Sequence, residues 1–117
     1  MTADELRVVV QTTDDGVVLV RVRGCLDGWS GPSGLIGALE EAAGRGGRLT
    51  VADLSLLEFA DSTGLHALLN AQRRHDEAGV RLVLAGPLGT GVRRLFEVSG
   101  TLGAFTFADT VDAALTC

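Results

Sequence analysis

Residues Leu49-Thr50-Val51-Ala52 make a short, almost unbroken apolar run between the glycine-rich stretch Gly44-Arg45-Gly46-Gly47 and Asp53. A strand covered on both faces reads this way, because neither side of its pleat meets water. A strand over 48–54 therefore needs strands beside it and helices packed on the sheet, and the rest of the chain offers both. Leu6 to Thr13 is rich in β-branched residues and is followed by the turn dipeptide Asp15-Gly16. Val17 to Arg23 then places Val18, Val20 and Val22 on one face and Arg21 and Arg23 on the other, the alternation of a half-buried strand. These two segments form an antiparallel hairpin.

Beyond the hairpin, strands and helices alternate. Gly24 to Gly31 is irregular; Ser30 is placed to cap a helix, with Pro32 in its first turn. Leu35, Ile36, Leu39, Ala42 and Ala43 form one helical stripe, stopped by the glycines at 44–47. A second helix spans Ser62 to Ala78, with Leu65, Leu68 and Leu69 on its buried side, Arg73, Arg74, Asp76 and Glu77 at its solvated end, and Gly79 closing it. Val80 to Ala85 is a fourth strand, Gly86-Pro87-Leu88-Gly89 a turn and Val92 to Val98 a short third helix. Phe105 and Phe107 mark a fifth strand, and Thr110 caps a last helix carrying Val111, Ala114 and Leu115. The order β-β-α-β-α-β-α-β-α implies an α/β fold with a mixed sheet of about five strands and about four helices. At 117 residues, one domain over 1–117 is expected.

Charge narrows the partners. Ten basic and fifteen acidic residues give −5, a poor match to nucleic acid or an anionic membrane, so neither is expected as a direct partner. All ten cations are Arg, which excludes a Lys nucleophile, a Schiff-base Lys and a P-loop Lys. No apolar run reaches the roughly 18 residues of a membrane span, and the acidic start Met1-Thr2-Ala3-Asp4-Glu5 has no apolar signal segment. A cytoplasmic protein is expected.

Groups suited to catalysis are sparse. His66 and His75 are nine residues apart on one helix, on opposite sides, and both read as ordinary surface residues. Cys25 and Cys117 form no CxxC, and Cys25 reads as a small hydrophobe at a strand end. No metal-ligand spacing occurs and no cofactor is expected. Gly86-Pro87-Leu88-Gly89-Thr90-Gly91, with Asp109 eighteen residues after Gly91, echoes a dinucleotide fingerprint. Its spacing is G-x-x-G-x-G rather than G-x-G-x-x-G, which favours a plain strand-to-helix turn. No enzymatic activity is expected.

The richest stretch is Asp53-Leu54-Ser55-Leu56-Leu57-Glu58-Phe59-Ala60-Asp61-Ser62-Thr63-Gly64-Leu65. A buried strand runs into a loop, and either Asp61 or Ser62 caps the helix that follows. A purely structural reading makes this a cap, a Gly64 for tight helix–sheet packing, and Leu57 and Phe59 in the core. Yet one cap needs one side-chain oxygen, and three consecutive residues offer one. A hydroxyl at the mouth of a helix is also a place where phosphate is tolerated, since free N–H groups and the helix dipole favour negative charge; Asp61 beside it opposes that charge.

Asp53-Leu54-Ser55 with Phe59-Ala60-Asp61-Ser62-Thr63-Gly64-Leu65 resembles the signature of STAS domains, specifically of bacterial anti-sigma factor antagonists. Arg23-Gly24-Cys25-Leu26-Asp27 resembles the family's Gly-x-Leu-Asp after the second strand, and Val92 to Gly100 resembles its third helix and following turn. The likeness runs over nearly the whole chain. It departs at Thr63, where a second serine is frequent, at Ala60, where a larger apolar residue is common, and in the glycine-rich Gly28-Trp29-Ser30-Gly31-Pro32.

The resemblance implies a single STAS domain that binds an anti-sigma factor, often itself a GHKL-type serine kinase, and so releases a sigma factor. That kinase phosphorylates the serine after the motif Asp, here Ser62, with Thr63 as second choice. The phosphorylated form no longer binds, and a PP2C-type phosphatase resets it. Partner contacts fall on Asp27, Trp29, Phe59, Asp61, Ser62, Thr63, Gly64 and His66, which lie on the 25–31 loop, the loop after the third strand and the start of the second helix. Trp29 is an interface anchor if exposed and a core-edge residue if not. Two other roles remain open: a STAS subunit of an ABC lipid transporter or a stressosome scaffold, and a minimal nucleotide-binding enzyme domain using Gly86 to Gly91.

Overall fold

Five strands, β1 (Arg7–Thr12), β2 (Val17–Leu26), β3 (Leu49–Ala60), β4 (Arg81–Ala85) and β5 (Thr106–Ala108), lie side by side in chain order. β1 pairs antiparallel to β2, and every later pairing is parallel. The structure is a computed structural model and describes residues 6–13, 15–26 and 33–116. Asp27, Trp29, Ser30, Pro32 and Cys117, all singled out above, lie outside the described residues.

The connections are helical: α1 (Ser33–Gly44), α2 (Ser62–Ala78), α3 (Thr90–Ser99) and α4 (Val111–Leu115), with a 3-10 turn at Leu102–Ala104. α1, α2 and α3 cover one face of the sheet, hereafter the front. Leu35, Leu39, Leu65, Leu68, Val92 and Phe96 there meet Val18, Val20, Val22, Leu54 and Leu57 of the strands. α4 lies on the back, where Ala114 packs with Val17, Leu19, Val51 and Val83. Phe96 makes edge-on contacts with Phe105 and Phe107, at 5.5 and 5.2 Å between ring centroids, and ties α3 to the last strand. No described helix is long and apolar enough to cross a membrane.

Three expectations need correction. β2 is not half-buried along its length: Val17, Val18, Leu19 and Val20 are all buried. β2 lies between β1 and β3, and its back face is shielded in the same region as α4, so alternation returns only at the exposed Arg21 and Arg23.

β3 does not end at Leu54; it continues to Ala60 and leaves only Asp61 before α2, so no loop follows the third strand. β2 continues alongside it, with Arg23 opposite Leu56, Gly24 opposite Leu57, Cys25 opposite Phe59 and Leu26 opposite Ala60. From Arg21↔Asp53 to Arg23↔Leu56, β2 advances two residues and β3 three; from Gly24↔Leu57 to Cys25↔Phe59 the steps are one and two. Each irregularity inserts one residue into β3 and shifts its side-chain parity, which erases the period-two signal. At the first, Asp53 Oδ1 accepts from Ser55 N at 3.0 Å and from Ser55 Oγ at 2.7 Å.

His75 is not a surface residue; it is fully buried, while His66 is exposed as expected. Its spacing from Leu68 and Ala71 puts it on the buried stripe of α2. Nδ1 lies 2.7 Å from Ala71 O and Nε2 lies 2.9 Å from Thr50 Oγ1. A carbonyl only accepts, so Nδ1 carries the hydrogen and the Thr50 hydroxyl donates to Nε2. Burial pushes the His75 pKa below its usual value of 6.5 and outweighs the Ala71 hydrogen bond and the Asp76 charge, which act the other way. Between the folded and unfolded values the unfolded chain binds more protons, so this contribution to stability is complete above the unfolded pKa and declines as pH falls below it. Denaturant midpoints should fall between about pH 7.5 and about pH 5.5, around the unfolded value. His75→Leu should flatten that slope whatever its absolute stability; an unchanged slope would assign the effect elsewhere.

Candidate functional site

The switch from β3 to α2 is made in one residue. Asp61 is extended, with φ −115° and ψ −171°, and its Oδ1 accepts from Thr63 N at 3.0 Å and Gly64 N at 3.1 Å. Its own N–H donates to Leu26 O at 3.2 Å, which fastens the helix start to the end of β2. Asp61 is therefore the cap, and Ser62 is left as the first helical residue. Ser62 is exposed, and its hydroxyl makes no hydrogen bond among the described residues. Replacing Asp61 by Ala should lower stability by about 1 kcal/mol, and Asp61→Asn by far less, because the amide oxygen still accepts. Chemical denaturation of the two variants checks the order; equal losses would mean the charge, not the acceptor, matters.

Gly64 explains how close the elements come. A Cβ there would stand 2.6 Å from Leu26 O and 2.6 Å from Leu26 Cγ. Only a residue without a side chain lets the first turn of α2 rest on β2.

The first turn thus gathers Asp61, Ser62, Thr63, Gly64 and His66, with Ser62, Thr63 and His66 exposed. His66 follows Ser62 by four residues and shares its helix face. Phe59 does not join this group. Leu26 and Ala60 belong to the front core, so Cys25 and Phe59, paired one step earlier, project from the back. Leu57 is in the core as the structural reading has it, but Phe59 is 49% exposed, and so is Leu56 at 58%. Sequence reasoning missed Leu56 because the first inserted residue, which lies before it, reverses the face that simple alternation gives.

The turn at Gly86 to Gly91 serves its own backbone. A Cβ on Gly86 would lie 2.7 Å from Leu88 N, and Gly89 caps α3 with no side-chain bond. A cavity of about 410 Å³ opens there, lined by Pro87, Leu88, Arg93, Phe107 and Asp109 among others. Among the described residues, no three His, Cys, Asp or Glu side chains are grouped to hold a metal ion.

A hairpin-led, otherwise parallel sheet in chain order, with an Asp-capped Ser-Thr-Gly helix start at the end of its third strand, is the arrangement of a STAS domain. Residues 9–105 match the family model described as Mlab, STAS domain, and the chain belongs to the STAS family. It is similar to the crystal structure of an anti-sigma factor antagonist from Mycobacterium paratuberculosis, with 28% identity and a TM-score of 0.83 over 96% of this chain and 92% of that one. The Bacillus cell fate determinant SpoIIAA in its phosphorylated form shares the fold at 21% identity, TM-score 0.70, over 94% and 97% of the two chains. RsbS of Moorella thermoacetica shares it at 24% identity, TM-score 0.72, over 94% and 92%. No curated protein matches the chain in sequence.

Proposed function

We propose that this protein is a cytoplasmic anti-sigma factor antagonist switched by phosphorylation of Ser62. The observation that carries the reading is the division of labour at α2: Asp61 satisfies the helix mouth, so the exposed Ser62 hydroxyl is structurally idle and open to a partner. The 28% identity to an anti-sigma factor antagonist over nearly all of both chains supports the same role.

In this reading the anti-sigma factor is a GHKL-type kinase that grips the first turn of α2. The γ-phosphoryl group of ATP passes to Ser62 Oγ, the bond to ADP breaks, and the hydroxyl proton goes to a base of the kinase. The antagonist is the substrate and catalyses nothing itself. Thr63 is the second-choice acceptor, and a PP2C-type phosphatase hydrolyses the ester and restores binding.

Pull-down of the native protein from lysate, with phosphosite mapping of the same sample, tests the reading. An anti-sigma kinase in the eluate and phosphate on Ser62 are expected. Phosphate on Thr63 with Ser62 empty overturns the acceptor. An ABC transporter ATPase or a stressosome in place of any anti-sigma factor overturns the role.

A further inference from the structure

α4 covers only part of the back of the sheet. Val17, Leu19, Leu49, Val51, Val83 and Ala85 are buried in its cluster. Toward the C-terminal ends of β2 and β3 no described helix covers the same face. Register assigns its residues: Arg21 and Arg23 alternate with the front-facing Val20 and Val22, Val9 and Arg7 stand opposite them on β1, and Leu56 and Phe59 lie alongside on β3. All six are exposed, and Val9, Leu56 and Phe59 are about half accessible, at 54, 58 and 49%.

Nothing within the described fold uses these charges. Arg45, Arg48, Arg74 and Arg93 each reach a carboxylate, but among the described residues Arg7, Arg21 and Arg23 form no ion pair. Asp53 is opposite Arg21 but is buried, and its Oδ1 is held by Ser55. Arg7 lies directly opposite Arg23, a cross-strand pairing of like charges that destabilises a sheet. Three exposed guanidinium groups without an ion pair among the described residues, interleaved with three large apolar side chains and bordered on β3 by the exposed carboxylate of Glu58, suit an external surface that carries carboxylates between apolar residues.

We propose that this face docks an acidic, amphipathic helix of a partner protein. Guanidinium forks bind carboxylates bidentately, and Val9, Leu56 and Phe59 receive the aliphatic residues between them. Arg21 and Arg23 are spaced about 6.7 Å along the strand, close to the roughly 6 Å between glutamates four residues apart on a helix. Local charge also favours a peptide over a bilayer. A helix on the patch feels charges within about one Debye length, about 8–10 Å, whereas a membrane plane meets the acidic molecule as a whole. The surface is on the opposite side of the sheet from α2, so its occupancy does not depend on the state of Ser62.

The test is an NMR titration of the isotope-labelled full chain with a synthetic Leu/Glu amphipathic peptide carrying glutamates at i, i+4. Shifts confined to residues 7, 9, 21, 23, 56 and 59, weakened tenfold or more in Arg21→Ser/Arg23→Ser and unchanged in Ser62→Glu, are expected. The same peptide with Gln for Glu should not bind. Thermal melts should show the double variant folded, since it removes like charges; the single Arg7→Ser serves if it is not. No binding, shifts centred on residues 61–66, or equal binding by the arginine variants overturns the proposal. Arginine-dependent binding to phosphatidylglycerol/phosphatidylcholine vesicles with no response to the peptide overturns it in favour of a membrane.

Discussion

If the proposed function holds, Ser62→Glu should bind the anti-sigma factor at least about 100-fold more weakly than wild type, a loss of about 2.7 kcal/mol, while melting within a degree or two of it. The two halves of this result have separate causes. Ser62 is the first residue of α2, where a negative charge gains about 0.3–1 kcal/mol from the helix dipole. Asp61, already accepting from Thr63 N and Gly64 N, offsets part of that gain. The net effect is small against a typical domain stability of about 5–15 kcal/mol. Binding is different. A partner surface shaped for a hydroxyl must desolvate a carboxylate, or a doubly charged phosphate, next to the Asp61 carboxylate; an unmatched buried charge costs more than one lost hydrogen bond. Ser62→Ala should fold, resist phosphorylation and keep much of its affinity. Calorimetry with the purified partner decides the matter. A Ser62→Glu protein that binds like wild type, or that is unfolded, would falsify this account of the switch.

Gly64→Ala should destabilise the protein by about 2–3 kcal/mol, in the range of core overpacking. The new methyl group would sit 2.6 Å from Leu26 O and Leu26 Cγ and 3.0 Å from Leu26 Cδ2. A side chain can turn aside, but the carbonyl is pinned, because it accepts from Asp61 N. The strain is relieved only by lifting the first turn of α2 from β2, which also moves Ser62. Alanine's better helix propensity, about 1 kcal/mol, reduces the loss without reversing it. Gly37→Ala is the internal control. Its Cβ would meet nothing within 4 Å in the middle of α1, so it should stabilise by about 0.5–1 kcal/mol. Opposite signs for the two substitutions in urea unfolding are expected; the same sign for both would mean that helix propensity, not the contact with Leu26, governs Gly64.

Both predictions depend on a segment whose outline is visible in the residues. Asp61-Ser62-Thr63-Gly64 announces a helix start because a cap is a transaction between neighbours: the side chain of one residue satisfies N–H groups two and three positions on. α2 accordingly spans Ser62–Ala78 as expected, and Gly79 ends it at φ 72°. The same holds at Thr110, whose hydroxyl accepts from Ala113 N at 3.1 Å. Which of Asp61 and Ser62 caps is not fixed by the local sequence, since both side chains can accept. Geometry decides it: Asp61 stays extended, fastened by its N–H to Leu26 O, and its carboxylate accepts from Thr63 N and Gly64 N.

The misreadings share a different character. Leu56 is hidden because the first inserted residue in β3 reverses its face, and the insertion exists only in relation to β2; the second insertion restores the alternation, so Phe59 lies on the same back face as Val51 and is exposed there. His75 reads as a surface residue along the chain, yet Thr50, 25 residues earlier, supplies the partner that lets a neutral imidazole be buried. Helix ends, turn glycines and the succession of elements follow from interactions spanning a few residues, so they can be read along the chain. The length of β3, the exposure of Phe59 and the burial of His75 depend on strands and helices distant in sequence, and they become definite only when packing sets those elements against one another.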